Sequence, residues 1–582
     1  MKKIGLLLLV AFVLGAGSAY FFSRTKTPAM DTAYADYLPP DTLAVVSLRD
    51  LSGLTDIFPK TALGHFLSKE TMGAILTDMH ADKADVEAYA RAYNQVFSVL
   101  HNPGFRMVFG DDVELAWISL DPGMFSVDPE KAMEQSVVLL ATTASGKALE
   151  TFAETLLHKD VDTVKTGDLE LTRLRLDTKH LDTKHLDNKK YLYAYSQGNR
   201  LLLAFSPKVI TLCVQANRIG KTLQHEKNFI NAGRFGKDSS LQKIYSREFV
   251  QLDRIRVALA GMKDKDVQQA VGYLQGMQYI VSVAGKSTTG WKADSMTRYA
   301  YDKLDPKVKE VVDAGGKKNI SLHLLQSNPL LYSWSASLGA STVVQSLSAA
   351  DPGEYKKVDH RLRREFGLSL AEIAGAFGPQ YGLVLNKIVQ AGMFPLPKLI
   401  GFVQVRNHKV VETLLERLSS KAAERGMVGA TQEQVGPFTL YSWALLPGEA
   451  TQPAFVLTRD MLYLANGPSG LKKLLAVANE REKLPKQIAD KLGPALAGQV
   501  QQADNGVFLF WPNRFASQVK GAADWLAGLA AASKGRSVTR LKDELLRLLQ
   551  STEKAVLVSN LYPDHGRADM TLQAKEEKGT KP

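Results

Sequence analysis

The chain holds a single cysteine, Cys213, in 582 residues. One thiol excludes an intramolecular disulfide and any zinc or iron–sulfur site made from the thiolates of this chain alone. Because Leu212 and Val214 flank it, we expect a buried, unreactive thiol. The sequence also contains no His-Glu-x-x-His, Gly-x-Ser-x-Gly or Gly-x-Gly-x-x-Gly motif. We therefore assign no catalytic residue and no cofactor.

Glycine and proline are not in excess, at 44 and 23 residues, and the chain is 45% apolar and 23% charged. These proportions exclude collagen-like, low-complexity and wholly disordered chains. At about 150 residues per domain, the length corresponds to about four such units. The formal charge of +12, from 72 basic and 60 acidic residues, is a mild excess. It favours anionic surroundings such as lipid or a cell-wall polymer.

The N-terminus carries one long uncharged run, Ile4–Phe22, between Lys3 and Arg24. Its length matches a helix that crosses a hydrocarbon core of roughly 30 Å. The short basic end would stay in the cytoplasm, and residues from about 30 onward would be translocated. The positions that represent this predicted membrane anchor are Ile4, Leu9, Leu14 and Phe22.

Two interpretations of this run stay open. The small residues Gly17-Ser18-Ala19 fit a signal-peptide cleavage site, which would leave a soluble periplasmic protein. Tyr20-Phe21-Phe22 instead extends the run and supplies an aromatic interface anchor, which favours an uncleaved signal anchor. No cysteine follows the run, so a lipoprotein is excluded. We expect a single-pass protein of the bacterial inner membrane with most of its chain in the periplasm.

The body of the chain repeats one order of elements at an offset of about 260 to 275 residues. Such a drifting offset with preserved order is typical of a duplicated domain with loop insertions. In the first half, the order is Val108–Asp112 before the strand Val113–Leu120, the strand Val137–Ala141 with the helix Ala148–His158, the hairpin Tyr191–Tyr195 and Leu201–Phe205, and the strand pair Ile280–Ala284 and Trp291–Met296. In the second half, the corresponding order is Ala376–Gln380 before the strand Tyr381–Leu385, the strand Leu399–Val405 with the helix Lys409–Arg425, the strands Thr439–Ala444, Ala454–Thr458 and Met461–Ala465, and the strand pair Ala555–Asn560 and Arg567–Leu572.

These patterns predict an α+β fold, with an N-terminal transmembrane helix and then two homologous, antiparallel-rich sheet domains with covering helices. The helix predicted over Asp82–Leu100 would bury a face that includes Val96. Gly315-Gly316 marks the seam between the halves. We place a signal anchor at 1–29, a first repeat domain at 30–312, a second at 313–575 and a disordered tail at 576–582.

The tract Leu176–Asn188 repeats a pentapeptide and places His180 and His185 among aspartates. These histidines are the only metal-ligand candidates. A spacing of five does not stack two imidazoles on one helical face, where three or four is needed. We interpret the tract as an expanded loop and predict no metal site.

Other motifs have simple structural explanations. Gly285-Lys286-Ser287 lacks the glycine and the following helix of a phosphate-binding loop, so we predict a hairpin. Ser240 and Ser517 each begin a Ser-x-x-Lys motif, but no Ser-Asp-Asn element accompanies them. The carboxylates Asp111-Asp112 are predicted to be turn residues, although a catalytic group assembled from distant positions stays possible.

The basic segments 360–364 and 534–547 have helical patterns. In the second segment Leu541, Leu545 and Leu548 would form a buried face, and the charges would coat the solvent side. A cationic face turned toward anionic lipid is the alternative. A translocated chain would not meet nucleic acid, so we expect no nucleic-acid partner.

The start of the body, from Tyr37-Leu38-Pro39-Pro40-Asp41-Thr42 through Leu51–Phe58 to a later Phe109-Gly110-Asp111-Asp112 strand, resembles a family of bacterial envelope proteins with a large domain of unknown function (domain of unknown function 3352). The resemblance implies an N-terminal anchor and a repeated α+β body over most of residues 36–575. It brings no catalytic residues. The second half opens differently, with Lys318-Asn319-Ile320-Ser321-Leu322.

These observations predict a non-enzymatic binding or scaffold protein of the cell envelope, tethered to the inner membrane. Its partners would be envelope proteins, anionic lipid or cell-wall polymer. The alternatives are a carrier or chaperone for lipid or envelope proteins, and a cell-wall hydrolase. A pocket with converging carboxylates or a Ser–His pair would favour the hydrolase.

Overall fold

The computed structural model describes residues 34–51, 53, 58–101, 103–143, 161–176, 190–235, 241–288, 290–339, 344–345, 347–349, 351–391, 394–424, 430–444, 448–477, 484–534 and 537–575. Within these ranges no helix is both long and apolar enough to cross a membrane. The predicted anchor, the predicted helix 148–158, the histidine loop and the tail 576–582 lie outside the described residues. The anchor therefore stays a prediction.

The chain divides into two compact units, the first ending at Asp305 and the second beginning at Pro306. The boundary predicted after Val312 falls inside the helix Pro306–Ala314. Helices and antiparallel strands are mixed through both units, so the predicted α+β class is confirmed.

The first unit is built on an antiparallel sheet. Its described strands are β1 Ala44–Leu48, β2 Val113–Trp117, β3 Val137–Thr142, β4 Val161–Thr166, β5 Leu169–Leu176, β6 Lys190–Gln197, β7 Arg200–Ala204, β8 Lys243–Gln251, β9 Met277–Ser287 and β10 Gly290–Tyr299. They lie in the order β4-β5-β6-β7-β3-β2-β1-β8-β9-β10, with every neighbouring pair antiparallel. Short hairpins make three of these pairs, β4–β5, β6–β7 and β9–β10, as alternating apolar and polar residues predict.

The described part of the first unit also contains ten α-helices, at least four of which pack on its strands. The ten helices are α1 Ala62–Phe66, α2 Lys69–Asp78, α3 Lys83–His101, α4 Pro103–Phe109, α5 Pro122–Val127, α6 Pro129–Glu134, α7 Pro207–Ile219, α8 Lys227–Phe235, α9 Leu252–Leu259 and α10 Lys265–Tyr273. The main core joins α7 and α8 to the central strands, with Ile210 and Phe229 against Leu140 and Phe249. Proline begins α7, where its missing N–H is not needed, and Gly220 ends it in the left-handed conformation.

The second unit contains its own antiparallel sheet. Its described strands are β11 Leu331–Ser335, β12 Phe377–Ala391, β13 Phe394–Val405, β14 Ala430–Val435, β15 Phe438–Trp443, β16 Ala454–Leu457, β17 Met461–Ala465, β18 Gly506–Phe510, β19 Thr552–Leu561 and β20 His565–Ala574. Their order is β14-β15-β16-β17-β13-β12-β11-β18-β19-β20. With strands counted from the start of each unit, this order is the same as that of the first sheet.

The helices of the second unit pack on its sheet in turn. They are α11 Pro306–Ala314, α12 Pro352–Phe366, α13 Leu370–Gly375, α14 His408–Glu424, α15 Pro468–Val477, α16 Leu484–Leu492, α17 Pro494–Gln502, α18 Pro512–Lys534 and α19 Thr539–Gln550. The main core packs α15, α16 and α17 against the sheet, around Trp334 and Tyr332. A smaller core packs α14 against Phe455 and Leu462.

One residue of each predicted helix face is exposed, whereas the other predicted residues that the structure describes are at least half-buried. Val96, expected to be buried, has 48% of its surface exposed on α3. On α19 the buried leucine is Leu546, whereas Leu545 is 42% exposed. Each helix packs on a helix next to it in sequence, α3 on α2 and α19 on α18. The periodicity of one helix alone does not specify which of its apolar side chains that contact covers.

Candidate functional site

A cavity of about 380 Å³ opens in the second unit between α15, strands β12 and β13, and the short 3-10 helix Leu322–Ser327. Its volume lies in the range of small-molecule sites. Aliphatic side chains of the main core form one wall, and they are Leu324, Val384, Ile400 and Leu474. The polar side chains in the lining are His323, Ser327, Asn386, Lys387, Lys398, Asn466, Ser469 and Lys473.

A β-bulge places two of the lysines face to face. The pairing of β12 with β13 shifts register between Leu385 and Lys387, and beyond the shift Lys387 lies directly opposite Lys398. Like charges at directly opposed positions destabilise a strand pair. Bulges are common beside functional sites because they redirect side chains. The opposed lysines therefore concentrate positive charge at the cavity at the expense of stability.

Glu449 neutralises one of these lysines. The Lys398 ammonium donates to Glu449 Oε2 at 2.5 Å and to Ser469 Oγ at 3.1 Å. The other carboxylate oxygen, Oε1, accepts the backbone N–H of Ser469 in the first turn of α15, at 2.9 Å. Partial burial raises the pKa of Glu449, but hydrogen bonds from Lys398 and Ser469 outweigh that effect and leave the pKa below its usual value. The carboxylate is therefore ionised and already satisfies the positive end of α15.

This geometry holds Ser469 without activating it. A serine nucleophile needs a neighbouring base with a free lone pair to take its proton. The Lys398 nitrogen is bound to the Glu449 carboxylate as an ammonium, and it donates to Ser469 Oγ. The arrangement suits the binding of a ligand better than acyl transfer.

Asn466 and Gly467 fix the loop that leads into α15. The Asn466 side chain donates from Nδ2 to the Pro397 carbonyl at 2.5 Å and accepts from the Leu399 N–H at 2.9 Å. At Gly467 a Cβ atom would lie 2.7 Å from the Glu449 carbonyl oxygen, closer than side chains tolerate. Glycine is therefore required for the Glu449 segment to approach the cavity.

Replacing Gly467 with alanine is expected to destabilise the second unit by about 2 kcal/mol, because the new methyl group must displace backbone atoms at Glu449. Gly470→Ala is the matched control, since its Cβ would make an ordinary 3.6 Å contact with Ile400 Cδ1. That variant is expected to gain about 0.5 kcal/mol from helix propensity. Urea unfolding of both proteins tests the difference, and equal midpoints would contradict it.

Two of the three cavity lysines, Lys398 and Lys473, have uncharged counterparts in the first unit. Strand pairing places Ile400 and Val138 at equivalent positions, so Lys398 corresponds to Ser136 of the first unit. Counting from the prolines that begin α15 and α7, Lys473 corresponds to Leu212. The first unit therefore has a serine and a leucine where the second has two cavity lysines.

The first unit has a buried polar row instead. Glu114 on β2, Ser47 on β1 and Arg247 on β8 lie side by side in register. Ser47 Oγ donates to Glu114 Oε1 at 2.9 Å, and Arg247 Nη2 donates to the Ala232 carbonyl of α8. Burial raises the pKa of Glu114 to about 7, and the Ser47 hydroxyl and the Arg49 charge offset part of that rise. Burial likewise lowers the pKa of Arg247 to about 10.

The positions predicted from sequence motifs do not assemble into a site. Cys213 is fully buried in α7, and burial raises the pKa of its thiol, as expected for an unreactive cysteine. Backbone N–H groups donate to Asp111 and Asp112, from Leu51 to the Asp111 carbonyl and from Asp50 to Asp112 Oδ1. Ser517 donates to the Asn513 carbonyl of its own helix.

The remaining predicted features lie on strands, on helix surfaces or outside the described ranges. Gly285–Ser287 ends β9 at its turn to β10, as the hairpin prediction required. On α12, Arg361 pairs with Glu365 and Arg363 with Asp359. His180, His185 and Ser240 lie outside the described residues. Within the described ranges, no cluster of histidine, cysteine and carboxylate side chains could hold a metal ion.

Comparison with known proteins gives no matching family model, no similar protein of curated function and no similar solved structure.

Proposed function

We propose that the chain is a non-enzymatic binding protein of the bacterial cell envelope, tethered by Ile4–Phe22, and that the cavity of its second unit holds a small ligand. The observation that carries the proposal is the cavity itself, with an aliphatic wall and lysines on two strands and a helix. The sequence features of the N-terminus support the envelope location. The hydrogen bonds of Ser469 and Ser517 support a role without catalysis, because Ser469 Oγ accepts from the Lys398 ammonium and Ser517 donates to a carbonyl of its own helix.

The two units are proposed to descend from one duplicated domain. Their common strand order supports this, as does the register of three central strands, in which Ser47 and Trp334 occupy the same position. A shared segment in the last strand adds to it. Lys292-Ala293-Asp294 and Arg567-Ala568-Asp569 each contain an ion pair between the basic residue and the aspartate. One unit then kept a buried polar row while the other acquired the cavity lysines.

Purification of the full-length chain from its native membranes tests the binding function. We expect about one small molecule per chain in a solvent extract, identified by mass spectrometry. Gly470→Leu is the matched variant, because its side chain would project toward Ile400 into the cavity from a helix that tolerates leucine. Equal amounts of the same molecule from both proteins, or none from either, would contradict the proposal.

A scaffold and a hydrolase remain distinct alternatives with their own tests. Chemical crosslinking in membranes before purification would support a scaffold if one envelope protein is recovered in equal amount to this chain. Hydrolysis of an ester substrate that disappears in Ser469→Ala would overturn the non-enzymatic assignment, since Lys398 lies 3.1 Å from that hydroxyl.

A further inference from the structure

The lining of the cavity separates into an apolar part and a cationic part. Val384 is fully buried, and Leu324, Ile400 and Leu474 are at least nine-tenths buried. The lining that these side chains form is hydrocarbon, so a ligand gains hydrophobic free energy against it only if it carries an apolar body. The aliphatic wall therefore selects for hydrocarbon.

The cationic part of the lining has three lysines and one acidic partner, Glu449. Glu449 pairs with Lys398, whereas Lys387 and Lys473 form no ion pair with any residue in the described ranges. Lys387 lies opposite Lys398 on the strand pair, and Lys473 lies one helical turn after Ser469 on α15. Two ammonium groups at the mouth of an apolar cavity complement an anionic head group.

The side chains of the lining do not suit a nucleotide or a charged sugar. Nucleotides and sugars are commonly held by aromatic rings that stack on the base or sugar face. The ring in this lining is the imidazole of His323, which is hydrogen-bonded to Tyr463 Oη at 3.2 Å and lies at a steep angle to that ring. The apolar wall is aliphatic, and it fits a flexible chain better than a planar ring.

We infer that the cavity binds a single-chain amphiphile, an acyl or alkyl chain ending in a carboxylate or phosphate, with its chain against Val384 and Ile400 and its head group between Lys387 and Lys473. This inference rests on the proposed binding function and names the class of its ligand. The two head groups share the chemistry that the lysines recognise, and separate probes distinguish them.

The test uses the full-length chain in lipid nanodiscs, with empty nanodiscs as the blank for partitioning into lipid. Equilibrium dialysis would measure the binding of decanoate, decyl phosphate, decan-1-ol and inorganic phosphate. We expect saturable binding of decanoate or decyl phosphate, at about one per chain. Decan-1-ol, which lacks the charge, is expected to bind about tenfold more weakly, and inorganic phosphate, which lacks the chain, is not expected to saturate in the same range.

Variants separate recognition of the head group from recognition of the chain. Lys387→Gln with Lys473→Gln is expected to weaken binding of the anionic probes about tenfold and to leave decan-1-ol unchanged. Lys356→Gln with Lys409→Gln removes the same charge from exposed positions on α12 and α14, and affinity is expected to stay within about twofold. Gly470→Leu is expected to lose all of the probes.

Equal affinity for decanoate and decan-1-ol would overturn the inference and leave the binding function standing. If no probe binds but another molecule co-purifies with the native chain, the inference is overturned and the binding function still stands. If no probe binds and no molecule co-purifies, both proposals fail together.

Discussion

Replacing Trp334 with alanine is expected to lower the free energy of unfolding of the second unit by about 3–5 kcal/mol. Trp334 is 1% exposed at the centre of β11, among the core residues of the sheet. Its indole N–H donates to Gln380 Oε1 at 3.0 Å. The variant would therefore leave a large cavity and remove one hydrogen bond from Gln380, which is itself buried.

Trp334→Phe separates these two contributions. Phenylalanine fills most of the space but cannot donate to Gln380, and we expect it to lower the free energy of unfolding by about 1–2 kcal/mol. Urea unfolding followed by circular dichroism measures both variants against the native chain. An alanine variant no less stable than the phenylalanine variant would show that packing around this position is loose, contrary to the structure.

A glycine on the next strand makes space for the ring of Phe402 beside this tryptophan. Gly382 lies opposite Trp334, and a Cβ there would lie 2.1 Å from the Ser333 carbonyl oxygen and 2.3 Å from Phe402 Cζ. At the equivalent positions the first unit has Ser47 and Glu114. At this place in the sheet the second unit has a large aromatic side chain beside a glycine, whereas the first unit has a hydrogen-bonded carboxylate.

Local sequence predicted the strands well because hairpins and alternation are local properties. The comparison of Phe109–Asp112 with Phe377–Gln380 agrees with the register found in the structure, where Val113 and Tyr381 pair with the last residues of β1 and β11. The predicted strands Val137–Ala141 and Met461–Ala465 agree with β3 and β17 to within one residue. In the predicted strand Val113–Leu120, residues 118–120 lie beyond the end of β2.

The candidate site could not be predicted in the same way. Its lining comes from segments near residues 323, 385, 399 and 470, which meet only in the folded unit. The bulge after Leu385 has no local sequence signal, so the opposition of Lys387 and Lys398 is visible only from the pairing. Comparison of the two halves of the sequence offered one indication of a cationic site, because the charged Lys473 and the apolar Leu212 occupy the same place in matching helices.

Raising the pH from about 5 to about 8 is expected to destabilise the first unit by up to about 3 kcal/mol through Glu114 alone. In the folded chain burial raises the pKa of this carboxyl to about 7, above the value of about 4.3 for an exposed glutamate. The folded state therefore holds the proton more tightly than the unfolded state. Its stabilising effect is complete below about pH 4 and is lost as the pH rises through about 7.

Glu114→Gln isolates this contribution, because glutamine keeps the side-chain oxygen that accepts from Ser47 and cannot ionise. The free energy of unfolding of the native chain, from urea titrations at several pH values, should fall more steeply between about pH 5 and 8 than that of the variant. Glu170→Gln, at an exposed position on β5, is the matched control and should keep the native slope. Equal slopes for Glu114→Gln and the native chain would mean that the charges of Arg49, Arg247 and Arg200 compensate the burial of Glu114 completely.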